Sequence, residues 1–106
     1  MERLYVVTRS DLPPGLQLAQ SVHAARQFAE EHPKLDRAWF RGSNNIVCLS
    51  VPDEPALREL VRSAERESPA SSFLEPDLGG ALTAVALGDG ARKLVGNLPL
   101  ALRSVG

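Results

Sequence analysis

The sequence predicts an α/β fold with three α/β/α layers, in which helices cover both faces of a four-stranded mixed β-sheet. The first observation is the order of the patterns along the chain, which reads strand, helix, a possible short helix, strand, helix, strand, strand, helix. The second is the short link at residues 76–81, which suits an antiparallel return between two strands. The third is the length of 106 residues with 43% hydrophobic residues, which predicts a single domain over residues 1–106.

The first strand and the first helix follow from the opening 31 residues. Residues 4–8 form a nearly continuous apolar run with β-branched side chains, as expected of a strand buried on both faces. Polar turn formers and two prolines over residues 9–15 predict a loop. From residue 16 to about 31, apolar residues recur at helical spacing, and we expect this stripe to form the buried face of a helix. Its members are Leu18, Val22, Ala25, Ala29 and Phe28.

The middle of the chain predicts a helix end, a turn and a second strand. Pro33 ends the first helix, and the apolar residues that follow it favour another short helix before a turn at residues 42–45. Residues 46–51 are apolar enough to predict a strand. Cys48 lies within this run, so we expect it to be a buried and unreactive thiol.

The second half predicts a helix, two strands and a final helix. Asp53 can cap a helix that runs to about residue 67, and residues 71–75 and 82–87 are the two strands. The final helix opens near residue 89 and runs through residue 95. Residues 88–93 resemble a glycine-rich phosphate-binding helix start that carries Arg92 and Lys93. They lack the spacing of a dinucleotide fingerprint or a P-loop, so a turn into a helix is the favoured interpretation.

The composition excludes several function classes. Twelve basic against 13 acidic residues give a formal charge of −1, which argues against a general polyanion-coating protein. Any RNA contact needs a local patch. No apolar run approaches the roughly 20 residues that span a bilayer, so we expect a soluble protein with no membrane partner. Cys48 has no partner for an internal disulfide, which favours a cytoplasmic setting. His23 and His32 lack the further ligands of a zinc set, so no metal or cofactor is predicted.

The candidates for an RNA-binding patch are Arg9, Arg26, Arg37 and Arg41.

Candidate catalytic residues cluster in the loop after the first strand and on the first helix. Ligand sites in open α/β sheets lie beyond the carboxyl ends of parallel strands, and Arg9, Ser10 and Asp11 lie at such an end. His23 belongs to a polar helical stripe with Gln20 and Gln27, and its imidazole can accept a proton from water. The nearest carboxylates for orienting it are Asp11, Glu75 and Asp77. The alternative is that His23 only forms hydrogen bonds at the sheet edge and that Asp11 only stabilises its own turn.

These residues resemble a known family. The segments VVTRSDL at residues 6–12 and AQSVHAA at residues 19–25, with Gly15 between them, resemble the opening of type 2 peptidyl-tRNA hydrolases in order and spacing. Trp39, Gly42 and the second strand are similar to further landmarks, and EPDL at residues 75–78 lies where the acidic loop of the family falls. The resemblance covers nearly the whole chain.

The resemblance implies an α/β/α fold around a four-stranded mixed sheet, frequent homodimers, and hydrolysis of the ester that joins a peptide to the 3'-terminal ribose of tRNA. By position, His23 would orient or deprotonate water, and Asp77 would be the acidic catalytic residue. Arg9 and Asp11 would order the site wall, and Gln20 would be a polar site residue.

Two positions depart from the pattern of the family. Leu16 stands where the family has a lysine, and a hydrocarbon side chain cannot stabilise an oxyanion or a phosphate as an ammonium does. Ala81 stands where the acidic loop has a threonine, and Thr83 replaces it only if the loop is remodelled. Two alternatives therefore stay open. One is a noncatalytic member of the fold that binds tRNA, a nucleotide or a protein, and the other is a hydrolase of a different ester or amide.

Overall fold

The computed structural model describes residues 1–103 and has an α/β fold built on one mixed sheet of four strands. The sheet order is β2-β1-β4-β3, with β1 parallel to β2 and with β4 antiparallel to both β1 and β3. Single 3-10 turns at Pro76–Leu78 and Asp89–Ala91 follow β3 and β4. The elements in chain order are β1 (Arg3–Arg9), α1 (Pro14–Glu31), α2 (Pro33–Arg41), β2 (Asn45–Val51), α3 (Glu54–Ala64), β3 (Ala70–Glu75), β4 (Ala81–Leu87) and α4 (Arg92–Val95).

Helices cover both faces of the sheet because the side chains of β1 alternate between two cores. Leu4 and Val6 pack with Phe28 of α1 in one core, whereas Tyr5 and Val7 pack with the helices of the other face. Trp39 of α2 belongs to the first core, and Leu57 of α3 and Val95 of α4 belong to the second. This double burial explains the continuous apolar run of β1, and it confirms the expected layers.

The direction of the strands creates the edge at which polar residues collect. Because β1, β2 and β3 run the same way and β4 runs against them, three strand ends meet the start of β4. We call this side of the sheet the carboxyl edge and the opposite side the amino edge. The loops after β1, β2 and β3 therefore lie at the carboxyl edge, as predicted for the first two.

Several boundaries differ from the predicted ones. α1 ends at Glu31, two residues before Pro33, as expected. Pro33 also opens α2, because a proline in the first helical turn has no N–H group that needs a partner. Asp53 caps α3 by accepting a hydrogen bond from the Ala56 amide at 3.0 Å. This helix ends at Ala64 rather than near residue 67, and the chain turns before Pro69. The predicted final helix is a 3-10 turn followed by the four-residue α4.

The predicted buried stripe of α1 is wrong at Leu18 and Val22, whereas Phe28 is fully buried as expected. Leu18 and Val22 are 56% and 54% exposed, whereas the buried face consists of Gln17, Gln20, Ser21, Ala24 and Phe28. The polar members of this face are buried because each finds a partner, as the Gln17 amide does when it donates to the Leu12 carbonyl at 2.7 Å. Hydrophobic periodicity carries no information about such partners, so it predicted the wrong face.

The expected burial of Cys48 is also wrong. Cys48 is exposed and Ile46 is 51% exposed, because β2 is an edge strand and α1 packs on β1, β3 and β4. The free edge of β2 is covered instead by the chain that follows α4. There the Ser50 amide donates to the Pro99 carbonyl, and the Ala101 amide donates to the Cys48 carbonyl, both at 2.9 Å.

Candidate active site

A buried chain of hydrogen bonds joins α1 to β3 and β4 at the carboxyl edge. The Thr83 hydroxyl donates to Gln20 Oε1 at 2.6 Å, and Gln20 Nε2 donates to Glu75 Oε1 at 3.3 Å. Thr8 extends the chain, since its hydroxyl donates to the Thr83 carbonyl at 2.8 Å. Gln20 is only 1% exposed and Thr83 is fully buried, so the amide is held in one orientation.

A β-bulge turns Thr83 toward α1. Phe73 pairs with Ala84 and Leu74 pairs with Leu82, so Thr83 is an additional residue on β4 with no partner on β3. Regular alternation would direct its side chain to the face covered by α3, together with Val85. The additional residue redirects the side chain to the α1 face, where it meets Gln20. Thr83 thus reaches the α1 face through a bulge in β4 rather than through the loop.

His23 lies one turn beyond Gln20 on the same flank of α1. It is exposed, and its ring stacks on Phe73 of β3 with centroids 4.5 Å apart and planes 14° from parallel. Within residues 1–103, no hydrogen bond occupies either ring nitrogen of His23. The imidazole is thus held by its face while both nitrogens remain available to a substrate or to water.

Asp77 lies close in sequence to this chain but is not joined to it. It is exposed in the 3-10 turn Pro76–Leu78, and the loop continues through Gly79 and Gly80 at φ 65° and 79°. No ion pair connects Asp77 with His23 in the part of the chain that the structure describes. Glu75 is the carboxylate that contacts the site, through Gln20.

Arg9 and Asp11 form a second cluster at the same edge. Arg9 Nε and Nη2 donate to the two Asp11 oxygens at 3.0 and 2.9 Å, and Arg9 Nη1 donates to the Leu82 carbonyl at 3.1 Å. The hydrogen bonds with Arg9 hold the pKa of Asp11 below its ordinary value, and the same bonds raise the pKa of Arg9. This bidentate pair braces the loop after β1.

Glu54 is a member of the second cluster that sequence reasoning missed. Its Oε2 accepts a hydrogen bond from the Leu82 amide at 2.6 Å and lies 4.0 Å from Arg9 Nη1. Arg58 also donates to this oxygen, at 3.3 Å. The available signal was its position directly after the cap of α3, at the end of β2.

The two clusters lie on opposite faces of the sheet. Gln20 and His23 belong to the α1 side, whereas Arg9 approaches Glu54 of α3. Thr8 and Arg9 are successive residues of β1 and so face opposite ways. The structure therefore brings Gln20, His23 and Thr83 together, and Arg9 and Asp11 together, without joining the two sets.

The predicted basic patch is not a single surface. Arg9 lies at the carboxyl edge and is engaged by Asp11, whereas Arg41 ends the helix that leads into the start of β2, at the amino edge. Arg37 belongs to the same helix as Arg41, and both line a cleft between α1 and α2. Arg26 is exposed on α1.

Two further features bear on the class of site. Among residues 1–103, no group of three or more histidine, cysteine, aspartate or glutamate side chains is arranged to hold a metal ion. The helices in this described part include none with the length and hydropathy required to span a bilayer.

Comparison with known proteins gives a structural neighbour but no family. No protein-family model matches the chain, and no curated protein does. The solved structure of a protein of unknown function from Agrobacterium tumefaciens strain C58 is similar, with a TM-score of 0.65 and 18% sequence identity. The match covers 92% of this chain and 96% of that chain. A likeness at this identity shows the fold alone.

Proposed function

We propose that this chain hydrolyses the ester between a peptide and the 3'-terminal ribose of tRNA. The proposal rests on the exposed imidazole of His23, which is stacked on Phe73 and lies one helical turn from the fixed Gln20 amide. An imidazole held by its face with both nitrogens available is suited to proton transfer. The resemblance of residues 6–25 to type 2 peptidyl-tRNA hydrolases supports this choice of substrate.

In this mechanism His23 accepts a proton from water while the water oxygen attacks the ester carbonyl. The carbonyl–ribose bond then breaks, and the imidazolium returns the proton to the departing ribose oxygen. Asp77, exposed in the loop after β3, is assigned the acidic role by its position in the resemblance. Gln20 acts as a positioning residue, because its bonds to Thr83 and Glu75 fix α1 against the strand that carries Phe73. Such an enzyme acts on products of translation, in the cytoplasm.

The direct test is turnover of a defined peptidyl-tRNA by the purified protein. We expect hydrolysis, and we expect His23→Ala and Asp77→Asn each to lower kcat/KM about a hundredfold. The matched control is Glu30→Ala, an exposed change two turns from His23 near the end of the same helix, which should retain full activity. Full activity in both site variants would remove the assignment of these residues. No turnover at enzyme concentrations far above contaminant levels would remove the enzyme.

One observation favours a second candidate function, the binding of tRNA without turnover. Leu16 is half-buried on the flank of α1 that carries Gln20 and His23, and its hydrocarbon side chain cannot stabilise the oxyanion that forms during ester hydrolysis. Titration with tRNA at two salt concentrations separates the candidates. Strong, salt-sensitive affinity without ester cleavage supports the binder, whereas cleavage supports the hydrolase. Light scattering on the same sample tests the homodimer that the resemblance implies.

A further inference from the structure

A groove of about 540 Å³ lies on the α3 side of the sheet, the face opposite to the proposed active site. Its floor is apolar and comes from β1, β2 and α4, where Tyr5, Leu49 and Val95 belong to the core beneath it. The volume falls within the usual range for small-molecule sites. Arg3 begins β1 and Arg9 ends it, so Arg3 is about 20 Å along the strand from the carboxyl edge. The groove extends from there to Leu49, on the face of the sheet opposite to α1.

Three cations stand around this apolar floor. Arg3, Arg92 and Lys93 line the groove, all three are exposed, and none forms a salt bridge with another side chain of residues 1–103. Within the described residues 1–103, the lining of the groove contains no carboxylate. The neighbouring cleft shares Arg3 and Arg92 with the groove and adds two carboxylates, Glu2 and Asp89. The Asp89 oxygens accept hydrogen bonds from the amides of residues 2 and 3, at 2.6 and 2.8 Å, so this carboxylate is already engaged by the backbone. The groove itself therefore carries an excess of positive charge in a chain whose formal charge is −1.

We propose that this groove binds a nucleoside monophosphate or a phosphate ester of similar shape. The cations provide charge-assisted donors for a phosphate, and guanidinium groups also stack on planar rings. The apolar floor covers the body of the ligand, and the Asn97 side chain supplies both a donor and an acceptor for the edge of a base. The groove is separate from the proposed hydrolytic site, so its ligand is bound independently of peptidyl-tRNA.

Calorimetric titration with AMP, adenosine and inorganic phosphate tests the proposal. We expect saturable binding of AMP that weakens with salt, weaker binding of phosphate, and the weakest binding of adenosine. Adenosine that binds as tightly as AMP would refute a role for the cations. Phosphate that binds as tightly as AMP would refute a role for the floor and for Asn97. Absence of saturable AMP binding at millimolar concentrations would overturn the proposal.

Charge-matched variants locate the site. Arg92→Gln combined with Lys93→Gln should weaken AMP binding at least tenfold, because two charged donors to the phosphate are lost. Lys34→Gln combined with Arg66→Gln removes the same charge from exposed positions outside the groove and should leave the affinity within twofold. Equal affinities of the two double variants would refute the location. His23→Ala should leave AMP binding unchanged, whatever its effect on ester hydrolysis.

Discussion

The hydroxyl of Thr83 supports the buried polar chain, and its removal should cost measurable stability. Thr83→Val keeps the shape of the side chain but leaves Gln20 Oε1 without the donor that now lies at 2.6 Å. Gln20 is 1% exposed, so water does not replace that donor. A buried acceptor without a partner costs about 1–3 kcal/mol, which we expect as the loss in the free energy of unfolding. For a domain of this size, each kcal/mol lowers Tm by roughly 4–8 °C.

Urea unfolding measures this loss through the fluorescence of Trp39, the single tryptophan of the chain, which is 8% exposed. Ser72→Ala is the control, since it removes a half-buried hydroxyl that forms no side-chain hydrogen bond within residues 1–103. It should change stability by less than about 0.5 kcal/mol. Gln20→Leu combined with Thr83→Val removes both partners and should cost less than the sum of the single changes, by about 1 kcal/mol. A fully stable Thr83→Val protein, or strict additivity, would refute the reasoning.

Two further predictions concern a glycine and an ion pair. Gly90→Ala should destabilise the protein by about 3 kcal/mol or more in urea unfolding, because its Cβ would lie 1.9 Å from the Glu67 carbonyl oxygen. Gly15→Ala is the control, because its Cβ meets nothing within 4 Å, and it should leave stability unchanged or raise it. Equal losses of stability in the two variants would contradict the clash at Gly90. Asp11→Asn should cost less than about 1 kcal/mol at pH 7, since Arg9 lowers the pKa of a largely exposed carboxyl. The contribution of this pair to the free energy of unfolding is complete above pH 3.8 and decreases as the pH falls through the lower pKa of the folded state. A difference in unfolding free energy between the unchanged protein and Asp11→Asn that stays constant from pH 7 to pH 2 would contradict this prediction.

The order of elements was predictable from sequence because local chemistry determines it. The buried run of β1, the cap at Asp53 and the short link before β4 each depend on neighbouring residues, and the structure has all three. Helix ends were less predictable. The turn after Ala64 and the 3-10 turn after β4 depend on packing at the end of each element rather than on the periodicity within it.

The interior of the site was less predictable because its contacts join residues far apart in sequence. Gln20 and Thr83 are 63 positions apart, and each alone is a polar residue of the kind usually found at a surface. Their mutual bond makes burial favourable, and it displaces Leu18 to the outside of α1. Glu54 was not predicted as a site residue because its partner, the Leu82 amide of β4, is also distant in sequence.

The additional residue at Thr83 separates what the sheet requires from what the site requires. If it were deleted, Leu82 and Ala84 would become consecutive and would still face Leu74 and Phe73 across a regular ladder. The sheet would keep its register, whereas Gln20 would lose its hydroxyl partner and Thr8 its carbonyl acceptor. Descendants of this fold that abandoned the site are therefore free to lose this residue, and they should show a one-residue gap in an otherwise continuous alignment of β4. Such a gap can be seen in a sequence alignment, and it would distinguish relatives that have the buried chain of hydrogen bonds from those that retain only the fold.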